Sequence, residues 1–143
     1  MQISAAQAVV HWEAAAAAIA AAARWAEGAG INVNIAVVDS GGNLAAFLRM
    51  PGAFLHSIDI AIDKAYTAAG FGLPTSAWTE ALATHSPAVR SGIPARPRMV
   101  CFGGGLPLRH EGRLLGGIGV SGGSEEQDES CARAGLSAIG LSA

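Results

Sequence analysis

The chain has 143 residues and a formal net charge of −2, with 51% hydrophobic and only 14% charged residues. That length fits one domain, 1–143, with a core of its own, and the near-neutral charge excludes an electrostatic footprint for nucleic acid or an anionic membrane. Charge this sparse, against about 25% in an average chain, implies apolar surface buried between copies, so a homo-oligomer is expected.

Ser4 with Gln7 fits a capping box opening an alanine-rich helix that ends near Glu27, with Gly28 as its stop. The N-terminus has no basic region before an apolar core. Residues 14–23 are too short to span a bilayer, so the expectation is a soluble cytoplasmic protein without a membrane partner. Residues 31–38 alternate and then turn wholly apolar, as a strand does on entering a core. Asp39-Ser40-Gly41-Gly42-Asn43 is turn chemistry, and Leu44 to Met50 completes a β-hairpin before Pro51-Gly52 breaks it. A second helix is expected from Ala53 to Ala69, with Ile58, Ala61, Ile62, Ala65 and Ala69 as its core stripe. Ser76 caps a short third helix reaching Thr84, and residues 85–97 read as a long irregular loop. Arg98 to Phe102, Leu106 to His110 and Arg113 to Val120 read as three further strands. Ser124 with Gln127 forms a second capping box for a last helix ending near Ile139. The expected order is α-ββ-αα-βββ-α: an α+β fold with a five-stranded, largely antiparallel sheet flanked by helices. Cys101 and Cys131 lack metal or redox spacing and read as reduced, buried thiols.

Nine of the 19 glycines fall between residues 103 and 129, where close backbone approach is therefore expected. The segments Ala36-Val37-Val38-Asp39-Ser40-Gly41-Gly42-Asn43, Arg49-Met50-Pro51-Gly52-Ala53 and Ser57 to Ala68 form one set of landmarks. Phe102-Gly103-Gly104-Gly105-Leu106-Pro107, Gly116 to Gly123 and Gln127-Asp128 continue it. In this order the chain resembles the GlcG/HbpS-like family, which includes the C-terminal domain of PduO-type proteins. The resemblance implies a homo-oligomeric domain with a five-stranded antiparallel sheet, in a family where some members bind or degrade haem. The chain departs from the family pattern at Pro51, where Asp is usual, and near His56, where a small or aliphatic residue is usual.

Lys64 is the only lysine among nine basic residues. Helical spacing puts His56, Ile60 and Lys64 on one stripe, apart from the core stripe and with Ser57 one step round. This stripe faces a groove, a partner subunit or water; Lys64 is then either a solvated edge residue or a desolvated anion anchor or base. Arg49, at a strand end, could hold a carboxylate or haem propionate, or pair with Asp59 or Asp63. Arg90, Arg96 and Arg98 add carboxylate-binding capacity around the Pro-rich loop. Ser121-Gly122-Gly123-Ser124 precedes a helix whose first turn carries Glu125, Glu126 and Asp128, which disfavours phosphate; these acids stabilise the helix start or shuttle a proton. Haem needs an apolar slot and an axial ligand. The candidates are His11, His56, His85 and His110, with His56 favoured for the iron because it shares the Lys64 stripe.

Two functions from different classes follow, with a third as background. The first is a haem- or tetrapyrrole-binding protein, its ligand pocket drawn from His56, Ser57, Arg90, Arg98, Gly104 and Gly122. The second is a cofactor-free isomerase, tautomerase or lyase-type catalyst acting on a small carboxylate, with Lys64, Arg49, Glu126 and Asp128 as the catalytic set. The third is a non-catalytic oligomeric sensor or scaffold.

Overall fold

The computed structural model describes residues 1–142. Four strands, β1 (Asn34–Asp39), β2 (Leu44–Arg49), β3 (Gly105–His110) and β4 (Arg113–Ser121), form one antiparallel sheet in the order β2-β1-β4-β3. Five helices accompany it: α1 (Trp12–Gly28), α2 (His56–Phe71), α3 (Trp78–Leu82), α4 (Pro87–Gly92) and α5 (Glu125–Ala138), with a 3-10 turn at Thr75–Ala77 before α3. None of the described helices is long and apolar enough to cross a membrane.

Strand alternation sorts the core into two layers. Ile35, Val37, Leu106, Leu108, Ile118 and Val120 face one way, against the alanines of α1 and Cys131, Ala132 and Leu136 of α5. Ala36 and Val38 face the other way, against Ala61, Ala65 and Ala69 of α2. Small residues dominate this second layer because β4 offers α2 almost no side chain. A Cβ built on Gly117 or Gly119 would run into the carbonyls of Ala65 and Ala61. Glycine inside a strand commonly marks such an approach by another backbone.

The sheet has four strands instead of the expected five. Arg98 to Phe102 is irregular because Arg98 sits at φ 65, in the left-handed region that no strand can contain. The Thr67 hydroxyl takes over the role of a ladder, donating to the Arg98 carbonyl (3.0 Å) and accepting from the Val100 amide (3.1 Å). The element order changes accordingly to α-ββ-ααα-ββ-α.

Two helix starts also move. The first helix begins at Trp12, with the His11 side chain as its cap, and the Ser4–Gln7 box does not form. The preceding segment is held outside the helix by the Val10 amide on the Leu115 carbonyl (3.1 Å) and by the Ser40 hydroxyl on the Ala8 carbonyl (2.7 Å). The second helix runs from His56 to a left-handed Gly72 cap, a shift of two to three residues. Within 85–97 the chain forms α4, capped by the Ser86 side chain with Pro87 in its first turn. The Ser124–Gln127 capping box of α5 forms as expected.

Gly119→Ala is expected to lose about 1–3 kcal/mol or more through overpacking against α2. Gly28→Ala, whose added Cβ meets nothing within 4 Å, is expected to gain about 0.4–1 kcal/mol. Urea denaturation of both variants checks this; equal effects would contradict the close-approach account.

Candidate functional site

Lys64 does not stand in a groove or in water; it is 1% exposed. Its Nζ donates to the Val120 carbonyl at 2.8 Å and to Asp128 Oδ2 at 3.0 Å. Asp128, also buried, accepts the Gly123 amide on its other oxygen at 2.8 Å. The pair joins α2, on one face of the sheet, to the first turn of α5, on the other, past the end of β4. Gly104 at φ 128 makes room: a Cβ there would lie 2.6 Å from Nζ and 2.5 Å from the Val120 oxygen. The Phe102 ring lies 5.1 Å from Nζ and caps the ammonium with its face. Nearby, Glu125 Oε1 accepts the Gly103 amide at 2.7 Å, and the Ser76 hydroxyl donates to Glu129 at 2.6 Å.

Burial pushes the Lys64 pKa below its ordinary 10.5, partly opposed by the charges of Asp128 and Glu125 and the hydrogen bond to Asp128. The neighbouring Cys131 thiol is pushed up to about 12 by burial and the nearby Asp128 carboxylate. It donates to the Ala22 carbonyl at 3.1 Å, an inert packing residue tying α5 to α1.

Of the residues singled out above, only Lys64, Asp128 and Gly104 converge. Arg49 Nη2 donates to the Ala53 carbonyl at 2.7 Å, and neither Asp59 nor Asp63 is its partner. Glu126 is exposed in the first turn of α5, Arg90 is exposed on α4, and His56 is exposed at the first residue of α2. Ser57 is buried beneath that turn. Gly122, at φ 135, lies where a Cβ would press on the Asn32 carbonyl, so its role is internal packing. Arg98 pairs with Asp63 at 2.9 Å and lies 3.6 Å over the Tyr66 ring. The proton-transfer alternative finds no support: Lys64 is enclosed and satisfied, and Arg49 is turned to a backbone carbonyl.

Two larger concavities lie away from this pair. One, of about 350 Å3, runs between α2 and residues 93–99. The other, of about 360 Å3, lies between the start of α1 and the β3–β4 hairpin; its lining includes Val10, Leu108 and Leu115, with His11, His110 and Arg113. This second concavity escaped the sequence reading because its residues come from three separated segments.

The chain matches, over residues 10–137, the family described as Haem degrading protein HbpS-like. It is 41% identical over 108 residues to an uncharacterised 15.0 kDa protein from the dhaT–dhaS intergenic region of Citrobacter freundii, covering 74% of this chain and 76% of that one. It is 38% identical over 121 residues to the corrinoid adenosyltransferase PduO of the same organism, covering 85% of this chain but only 36% of PduO. Among solved structures, Klebsiella pneumoniae protein ORFY superposes with a TM-score of 0.89 at 33% identity, over 97% of this chain and 96% of that one. The heme complex of PduOC superposes with a TM-score of 0.85 at 31% identity, over 93% and 96%.

Lys64→Ala or Asp128→Ala, each orphaning one buried charge, is expected to lose about 3–5 kcal/mol, while Lys64→Met with Asp128→Leu recovers part of that loss. Between its depressed pKa and 10.5, Lys64 binds fewer protons folded than unfolded, so its contribution to stability rises with pH. Cys131 acts oppositely between its ordinary 9.0 and about 12. The apolar double variant should therefore lose stability above pH 9.0 more steeply than wild type. Denaturation across pH checks both; simple additivity of the two single losses would contradict the pairing.

Proposed function

We propose that this chain, which belongs to the HbpS-like family, binds haem in the concavity between the start of α1 and the β3–β4 hairpin. The observation that carries the reading is the lining: apolar residues, two imidazoles and a guanidinium around about 360 Å3. Those are the groups that haem needs, an apolar slot, an axial ligand and a cation for a propionate. The family description and the heme complex of PduOC lend support.

The two histidines are not equivalent. His11 Nδ1 accepts the Glu13 amide at 3.2 Å as the helix cap, which places the proton of a neutral ring on Nε2. Offering either nitrogen to iron would disturb that cap or its tautomer. His110 makes no side-chain hydrogen bond to the backbone and lies only 3.7 Å from the exposed Glu111 carboxylate, so its ring is not committed to a helix cap. In this reading His110 would hold the iron, Arg113 would offer a cation to a propionate, and Val10, Leu108 and Leu115 would supply the apolar slot. Bound haem supplies an iron centre for small-ligand or electron exchange; the chain supplies the slot, the ligand and the charge. The iron ligand expected at His56 gives way here, because His56 is absent from the lining of both concavities.

The same reading includes a homo-oligomer. Trp12, Phe54, Leu55 and Phe102 are 66%, 68%, 70% and 46% exposed in the single chain, which favours burial between copies.

Haem titration followed by the Soret band tests the assignment: wild type and His56→Ala should give the same saturable band, and His110→Ala should lose its axial-ligand signature. Loss of the band in His56→Ala alone, or no binding by wild type at micromolar haem, would overturn it. Sedimentation velocity should show an oligomer at micromolar chain; a monomer would contradict the second part.

A further inference from the structure

The groove between α2 and residues 93–99 has no part in the haem reading, yet it is the more deliberately built of the two. Its walls include Tyr66 and Phe71 from α2 and Ile93, Arg96, Arg98 and Met99 from the strap that follows α4. Three bonds fix the strap. Arg98 Nε donates to Asp63 at 2.9 Å, and Thr67 holds the Arg98 carbonyl and the Val100 amide at 3.0 and 3.1 Å. The Arg98 guanidinium also stacks 3.6 Å above Tyr66. These contacts keep Arg98 at φ 65, in the left-handed region. A non-glycine residue stays there only when its surroundings over-determine it, and such residues cluster at ligand clamps.

The charges are unevenly satisfied. Arg98 is neutralised by Asp63, whereas Arg96, two residues earlier on the same wall, has no ion-pair partner among the described residues. The groove therefore has one unpaired, exposed guanidinium among its lining residues, at the edge of an almost wholly apolar bed. A phosphate dianion would bring more charge than a single guanidinium matches, while a carboxylate matches its planar fork.

We propose that this groove is a binding site for a small apolar monocarboxylate, its carboxylate on Arg96 and its body against Phe71, Ile93 and Met99. Tyr66 and the stacked Arg98 form a rigid wall that keeps the apolar slot open. The site is independent of His110 and does not rest on the haem reading.

The probe is 3-phenylpropionate, titrated into the 15N-labelled full chain and followed by amide chemical shifts, with 3-phenylpropanol as the uncharged comparison. Saturable shifts centred on residues 66–71 and 93–99 are expected. Arg96→Gln, an exposed substitution that should leave the spectrum otherwise intact, should weaken the acid about tenfold or more and the alcohol hardly at all. His110→Ala should leave the titration unchanged, which separates this site from the haem slot. No saturable shift in that region at millimolar acid, or shifts there that Arg96→Gln does not weaken, would overturn the proposal.

Discussion

The buried pair of Lys64 and Asp128 is the constraint on which the rest of this structure depends. Taking an ammonium and a carboxylate out of water is expensive, and the cost is offset only when geometry is good and the remaining polar atoms are satisfied. Here each partner has a second bond, to the Val120 carbonyl and from the Gly123 amide. The result is a polar rivet through an otherwise apolar sandwich. A layer of alanines and glycines alone would let α2 slide on β4. The rivet ties the position of α2 along the strand to the first turn of α5.

The glycines of 103–123 serve that arrangement more than they serve a ligand. Gly104 gives way to the ammonium, Gly117 and Gly119 to the backbone of α2, and Gly122 to the Asn32 carbonyl. With the middle of the fold committed to internal contact, the two larger concavities lie at the periphery. The imidazole-lined slot lies on the α1 side of the sheet and the guanidinium-lined groove on the α2 side. In the proposed reading these two concavities serve different ligands, haem in the first and a carboxylate in the second.

Much of this was legible in the residues. The β1–β2 and β3–β4 hairpins, the Ala61–Ala65–Ala69 face and the α5 capping box follow from period and turn chemistry, and the family from its glycine landmarks. What failed did so for physical reasons. The left-handed backbone of Arg98 carries no local sequence signal, and a side chain on α2, Thr67, replaced the missing ladder. The Ser4 capping box lost to longer-range bonds from Ser40 and Leu115. Lys64 stands out in the sequence as the single lysine, but helical spacing cannot show that its long stem reaches past the sheet to an acid 64 positions later. The slot at His11 and His110 was invisible because histidines nearly a hundred residues apart in sequence meet only through the fold.

A crystal structure of the haem-loaded protein is the most direct test of this division between a fixed interior and reactive edges. The account predicts haem seated between the start of α1 and the β3–β4 hairpin, with Lys64 Nζ still on Asp128 and the Val120 carbonyl. Haem seated against α2 at His56, or Lys64 released from Asp128 to meet the ligand, would contradict it.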